Sequence, residues 1–238
     1  MNTDMFEMSG MFEHASQFFD LFHYHYGLSI FPQFRDIELL HELGKPMVMH
    51  HWGNDVRFES IAKRHNRYVN TEDSPEEEKI DQALQTLSRY ISDAIVQDYE
   101  VLPYVEPYYE RVHVIPIALD IKQFTPVYPQ LNKKMPMVIH APTNTDFKGT
   151  NDIEKAIRQL KQERSFQYVR VEQMSHEEAV KLYQQADIII DQILCGSFGL
   201  LSVEAMAYGK PVIAYIREDL AARSDTPPIH NANPDTIY

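Results

Sequence analysis

An α/β architecture of two doubly wound domains is predicted by three observations. Short apolar runs of strand length alternate with stretches of helical spacing along most of the chain. Residues 188–190 (Ile-Ile-Ile) and 211–215 (Pro-Val-Ile-Ala-Tyr) flank one such helical stretch, which makes a βαβ unit with buried parallel strands. Finally, residues 117–134, with Pro126 and Pro129 and little periodicity, separate two series of these units. The domains are therefore placed at 1–125 and 126–238, with the second fold beginning near Met135.

In the first domain, residues 19–24 alternate apolar and aromatic side chains in strand fashion. Residues 35–43 follow as a helix stopped by Gly44, and residues 46–50 form the next strand. Ser74-Pro75-Glu76-Glu77 combines a capping serine, a proline at the first helical position and a glutamate at the third, so a helix should begin there. Ile80, Leu84, Leu87 and Ile91 keep helical spacing, and residues 94–97 and 112–115 read as strands. In the second domain residues 137–140 are a strand, Asn151 with Glu154 caps a helix, 166–171 is a strand, and Ser175 with Glu178 forms a capping box. The strand-loop-helix-strand unit of residues 186–215 comes next.

Composition removes several function classes. The 238 residues carry 22 Lys plus Arg against 35 Asp plus Glu, and a net charge of −13 repels nucleic-acid phosphates, so nucleic acid is not an expected partner. Cys195 is the only cysteine, which rules out an internal disulfide and a thiolate zinc site and fits a reducing, cytoplasmic compartment. The acidic N-terminus lacks the apolar core of a secretory signal, and no run reaches bilayer-spanning length, so membrane contact would be peripheral.

The chemistry concentrates in residues 186–215. Gly196-Ser197-Phe198-Gly199 opens a helix whose first amides lack intrahelical partners and carry the positive end of the helix dipole, a fit for an anionic phosphate. Glu204 is a single acid in an otherwise apolar helix, where a carboxylate is either solvated or paired, and a sugar hydroxyl is a suitable partner.

This stretch resembles the signature of family-4-type (group 1) retaining glycosyltransferases, whose two-domain Rossmann-like architecture is called GT-B. Phe198, Gly199, Leu200, Glu204, Ala205, Met206, Ala207, Gly209, Pro211 and Val212 stand in the matching places, and Gly196 occupies the place of the motif's first Glu. Residues 43–57, Leu-Gly-Lys-Pro-Met-Val-Met-His-His-Trp-Gly-Asn-Asp-Val-Arg, are similar to the family strand that leads into a His-Gly-Ser-Asp turn. Val114-Ile115-Pro116-Ile117-Ala118-Leu119-Asp120 is similar to the signature before the linker. Residues 141–150 occupy the site where the family presents an Arg and a Lys to the diphosphate, and of the two Lys148 remains.

The resemblance implies transfer of a sugar, with retention, from a nucleoside diphosphate sugar to a glycan, lipid or protein acceptor in polysaccharide or glycoconjugate synthesis. It implies no cofactor and no obligatory metal. Glu204 would bind the ribose hydroxyls, the backbone at Phe198, Gly199 and Leu200 the diphosphate or donor sugar, and Lys148 the leaving group. Asp191 and Gly196 complete the expected donor site, and His50 or His51 would orient the sugar as the catalytic histidines. The N-terminal domain is expected to be incomplete, as is the far end of the second. A truncated sheet leaves an edge open to homo- or hetero-oligomer formation.

Other readings stay open beside this one. A non-catalytic remnant that binds a nucleotide sugar or a partner would explain the missing Arg and first Glu, and a nucleotide-sugar epimerase shares the architecture. His23 and His25, two residues apart on one strand face, could join His50 and His51 in a metal cluster, against the plainer reading of structural histidines. The aromatic segment 18–26 reads as core, with its 24–27 end a candidate acceptor contact. No Gly-x-Ser-x-Gly elbow and no Gly-x-Gly-x-x-Gly fingerprint occurs, which disfavours a serine hydrolase and a nicotinamide oxidoreductase.

Overall fold

The structure, a computed structural model, describes residues 5–223 and 227–238. It divides into two compact units, residues 1–61 with 73–116, and residues 62–72 with 117–238. The sequence placed the division at 125/126 and left residues 62–72 with the first domain. What ties that segment to the second unit is non-local: Asn66 Nδ2 donates to the carbonyls of Leu194 (2.6 Å) and Cys195 (3.0 Å).

The first unit opens with helix α1 (Met5–Phe18), which the sequence pattern did not reveal. It also moves the first strand. Phe19 N still donates to Ala15 O at the helix end, so β1 spans Phe22–His25 instead of residues 19–24. A 3₁₀ turn (Pro32–Phe34) leads into α2 (Arg35–Glu42), and Gly44 beyond it has φ +67°, the left-handed conformation that glycine adopts without strain. Then follow β2 (Met47–His51), α3 (Glu59–His65, which passes into the second unit at Ala62), α4 (Glu77–Leu87), β3 (Asp93–Val96), α5 (Leu102–Val105) and β4 (Arg111–Val114). The capping box expected at Ser74 does not form: α4 begins two residues later than predicted, the Ser74 hydroxyl has no hydrogen-bond partner, and Glu77 turns its carboxylate to the amide and hydroxyl of Ser60.

The four strands are parallel in the order β1-β2-β3-β4. A sheet that grows in one direction through right-handed crossovers receives all its helices on one face. Burial agrees. Tyr24, Met47, Met49, Ala94 and Val96 are buried with Ile37 and Leu40 of α2 and Ile80, Leu84 and Leu87 of α4. The alternate residues His23, His25, Val48, His50, Asp93, Ile95, Arg111 and His113 are exposed or half-buried.

The second unit contains a 3₁₀ turn (Ile121–Gln123), β5 (Met137–His140), α6 (Thr145–Lys148), α7 (Thr150–Leu160), β6 (Gln167–Arg170), α8 (His176–Gln185), β7 (Ile188–Ile190), α9 (Leu200–Ala207), β8 (Val212–Ala214), α10 (Glu218–Ala221) and β9 (His230–Asn231). All five strands are parallel in the order β6-β5-β7-β8-β9. Ile139, Ile189, Leu201, Ala205 and Val212 belong to one apolar cluster, and Val138, Ile153, Ile190 and Ile193 to a second. Successive residues of β5 and β7 thus enter different clusters, and both faces of this sheet are covered.

The Ser175–Glu178 capping box is present in full, with each side chain bonded to the other's backbone. Asn151 is not a cap, because α7 starts at Thr150 directly after Gly149; the capping asparagine is Asn144, whose side chain accepts from Phe147 N at the head of α6. Cys195 is buried. No helix among the described residues is long and apolar enough to cross a membrane.

Candidate functional site

The strand order of the second unit reverses at β5, between β6 and β7, and such a switch point is where ligands bind in doubly wound sheets, at the carboxyl ends of the strands. Two segments leave those ends, residues 141–149 after β5 and 191–199 after β7. Together they contain most of the predicted donor residues.

Lys148 and Asp191 meet there. The Lys148 ammonium donates to Asp191 Oδ1 at 2.6 Å, and both side chains are buried. Asp191 Oδ2 accepts from the Ser202 hydroxyl (2.6 Å) and the Gly199 amide (3.2 Å), so the carboxylate sits at the start of α9 as an internal anion. Burial by itself would raise the Asp191 carboxyl, but the Lys148 charge and these hydrogen bonds outweigh it and hold the group below the usual carboxylate range. The helix start that the sequence offers to an external phosphate already holds a protein carboxylate, which uses part of the same capacity.

Gly196, in the place of the family's first glutamate, has φ +87°, and a Cβ there would lie 2.6 Å from Arg217 Cγ and 3.0 Å from Asn66 Nδ2. The space a side chain would need is filled by Arg217 and by the 62–72 segment. Phe198 and Gly199 are half-buried and Leu200 is exposed. Gln192 braces the loop by donating to Ser197 O at 2.6 Å.

Glu204 differs from Asp191. Its side chain is only 13% exposed, yet the titratable group nearest to it among the described residues is the exposed His176, with Nε2 at 4.0 Å from Oε1. Among the described residues no hydrogen bond reaches this carboxylate. Burial raises its pKa, against a smaller lowering by His176. His176 and Tyr183 of α8 border a hollow of about 660 Å³ at the ends of β5 and β6, which Thr143, Arg170 and Glu172 also line. The Tyr183 hydroxyl is pushed up to about 12, by burial first and then by the charges of Glu204 and Asp191. His176 thus stands between this hollow and a partly desolvated carboxylate, an arrangement that can receive hydroxyl groups. A larger hollow of about 1110 Å³ lies by the ends of β8 and β9, but two of the guanidinium groups lining it are engaged, Arg67 with Asp235 and Arg217 with Asp219.

The two predicted histidines of the first unit point in opposite directions, as neighbours in a strand must. His51 is buried on the helix-covered face. Its Nδ1–H donates to Asp55 Oδ2 at 2.7 Å, and the Tyr109 hydroxyl lies 3.0 Å from Nε2. Asp55 Oδ1 also accepts from the amides of Trp52 and Gly53, so His51 anchors the turn that follows β2. His50 lies on the other face with His23, His25 and Trp52.

Two participants escaped the sequence reading. His140, at the end of β5, is fully buried; its Nδ1–H donates to Ile190 O at 2.9 Å and Nε2 pairs with the Thr150 hydroxyl at 2.8 Å, joining three elements around the switch point. Burial chiefly depresses its pKa and keeps it neutral. Ser202, the second partner of Asp191 Oδ2, could have been suspected from its place in the first turn of α9.

No protein-family model and no curated protein sequence matches the chain. Solved structures do match in three dimensions. A glycosyltransferase from Rickettsia africae superposes with a TM-score of 0.60 at 15% identity, covering 100% of this chain and 70% of the other. The catalytic domain of starch synthase IV from Arabidopsis thaliana, bound to ADP and acarbose, gives 0.57 at 12%, covering 95% and 64%. Sucrose-phosphate synthase from Thermosynechococcus elongatus gives 0.54 at 17%, covering 87% and 59%. These likenesses establish the GT-B fold of two Rossmann-like domains. The chain spans about 59% of the length of the last of these structures.

Proposed function

We propose that the chain is a glycosyltransferase whose second unit binds a nucleoside diphosphate sugar. The observation that carries this reading is Glu204: a partly buried carboxylate that no hydrogen-bond donor among the described residues reaches, 4.0 Å from His176, which lines a 660 Å³ hollow at the carboxyl ends of β5 and β6. Two vicinal ribose hydroxyls would satisfy its oxygens. The diphosphate would then lie toward residues 198–200 and Lys148, whose ammonium has donors beyond the one given to Asp191. A cation preorganised at that point stabilises the charge that builds on the leaving diphosphate. The first unit would serve the acceptor, a glycan, lipid or protein group, with His50 as its polar group, since both ring nitrogens of His51 are engaged. Retention at the anomeric carbon and a role in polysaccharide or glycoconjugate synthesis complete the proposal.

Two observations favour a second reading, binding without turnover. Asp191 neutralises Lys148, and Gly196 leaves no room for the side chain that the family places there.

Calorimetric titration of the wild type and Glu204→Ala with UDP, GDP and ADP and their sugar nucleotides tests the donor site. Loss of a charge-assisted hydrogen-bonding group predicts a weakening of about ten- to a hundredfold. Because the Glu204 carboxyl is raised, wild-type affinity should also fall as pH drops through a value above the ordinary ~4.3, which the variant will not show. Equal binding by both proteins, or none by a folded wild type, would sink the donor-site proposal. Analysis of products with a bound donor and candidate acceptors then separates transfer from mere binding.

A further inference from the structure

On the open face of the first sheet, three histidines come together that the strand pattern alone could not place. His23 and His25 share a face of β1 by their spacing, and the parallel register sets His25 opposite His50 of β2. Their rings lie 4.1 Å (His23–His25), 5.4 Å (His25–His50) and 5.7 Å (His23–His50) apart between centroids. One ring nitrogen from each lies within 4.8 Å of the others. His51, the fourth histidine considered from sequence, is on the opposite face and takes no part.

We propose that His23, His25 and His50 bind a divalent metal ion of the zinc class. Three neutral imidazoles are a donor set for zinc and its neighbours, and a poor one for calcium or magnesium, which require oxygen. At zinc–nitrogen distances of about 2.0–2.1 Å, tetrahedral ligand atoms are about 3.3 Å apart, so the cluster must contract. His23 and His25 are exposed and can turn to do so. His50 Nε2 is buried without a hydrogen-bond partner, which leaves one atom of the set in want of a ligand.

A cavity of about 290 Å³ beside β1, reaching His23, His25, Leu28 and Ser29, leaves room for water or a small ligand at a fourth position. Three protein ligands with an open fourth position is the arrangement of reactive zinc sites, whereas purely structural sites are closed.

The site contains its own reporter. Trp52, the only tryptophan of the chain, stacks on His50 at 4.4 Å between ring centroids and donates Nε1–H to His25 Nδ1 at 3.3 Å. An indole N–H can only donate, so neutral His25 holds its own proton on Nε2. Binding a metal through Nδ1 displaces the indole, and binding through Nε2 moves the proton to Nδ1, which removes the indole's acceptor. Either way Trp52 loses this hydrogen bond, and its emission must change.

The inference does not depend on the transferase reading, and its test uses no nucleotide. Full-length protein without a polyhistidine tag is titrated with zinc chloride while tryptophan emission is followed, and its zinc content is measured after dialysis. We expect one zinc per chain, with the emission change saturating at one equivalent. His23→Ala and His25→Ala, each removing an exposed side chain and so expected to keep the wild-type circular dichroism, should weaken binding by more than about a hundredfold. His230→Ala, at an exposed histidine in the other unit, should bind as the wild type does. Absence of saturable binding by the wild type, or wild-type affinity in folded His23→Ala or His25→Ala, overturns the proposal.

Discussion

The two sheets are built from the same element, a parallel strand, and differ in how they are enclosed. The second unit reverses direction at β5, giving the order β6-β5-β7-β8-β9, and so receives helices on both faces. The first unit runs β1-β2-β3-β4 without reversal, and its helices cover one face. The sequences of the strands carry the difference. Ile188-Ile189-Ile190 is apolar at every position, whereas Met47-Val48-Met49-His50-His51 and Phe22-His23-Tyr24-His25 put one set of residues in the core and the other on an open face. Strand order therefore decides what kind of polar group each sheet face can hold. The enclosed sheet has Asp191 and His140 fully buried and fully bonded; in the first sheet the buried, bonded His51 lies on the helix-covered face, and the open face collects histidines and exposed ion pairs.

The sharpest test of this contrast is the Lys148–Asp191 pair. Removing one member of a buried pair strands the other, so Asp191→Ala should cost the second unit about 3–5 kcal/mol, and a Lys148→Met/Asp191→Leu double substitution should recover much of that. The pH dependence has a definite sign. Because the folded Asp191 carboxyl is depressed below the unfolded value of about 3.9, its contribution is present above that value and is lost as pH falls through the folded one. The gap between wild type and Asp191→Ala in chemical denaturation should thus be constant near neutrality and narrow in acid. A gap that persists unchanged at low pH would mean that Asp191 is not held as a carboxylate.

Which parts of this were legible in the sequence follows from how local each signal is. The Ser175–Glu178 capping box and the apolar run at 188–190 are determined within a few residues, and both stand where they were read. The helix that residues 196–199 are expected to open is also a local signal, and α9 (Leu200–Ala207) follows them directly. Helix α1 carries a glycine at its middle, Gly10, and only a weak apolar stripe, so its pattern gave no cue, and the strand expected at residue 19 was displaced to 22 as a result. Opposite faces for His50 and His51 could have been read from parity alone. By contrast, the pairing of Lys148 with Asp191, 43 residues away, and the hold of Asn66 on Leu194 and Cys195, 128 and 129 residues away, are products of topology, and no local pattern contains them. For the same reason the site was read as a list of residue types, while the fact that Asp191 already occupies Lys148 had to come from the fold.

A second prediction compares apolar residues at the centre of each sheet. Ile189 is fully buried, and Ile189→Ala should destabilise the second unit by about 2–4 kcal/mol through lost transfer energy and the cavity left behind. Ile95 of β3 is the corresponding isoleucine on the open face of the first sheet and is only half-buried. Ile95→Ala should cost under about 1 kcal/mol, since part of the side chain is already in water. Because two units need not unfold in one transition, amide exchange of the individual strands is the measurement to use. Equal costs in β3 and β7 would show that the open face is covered in solution and would break the comparison.

The smallest expected effect concerns the ion pairs on that open face. Arg111 donates to Asp93 through Nε at 2.8 Å and Nη2 at 2.6 Å, and His113 Nε2 lies 2.9 Å from Asp93 Oδ1. Arg111 and then His113 hold the Asp93 carboxyl well below the ordinary carboxylate range, so the sign is the same as for Asp191: the contribution is present above about 3.9 and fades as pH falls through the lower folded value. The magnitude is not the same. The three side chains are 30%, 58% and 50% exposed for Asp93, Arg111 and His113, and solvent screens what a shift of that direction would be worth in the interior. Arg111→Met should therefore have only a small effect on stability, seen at low ionic strength. In about 1 M salt, where the screening length falls to about 3 Å, the difference should become too small to measure. The Asp191 substitution should keep most of its cost in the same salt, because a fully buried pair is little screened. If Arg111→Met instead has a large effect that ignores salt, the face that carries Asp93, Ile95 and the three histidines is enclosed in solution, and strand order alone does not explain the difference between the two sheets.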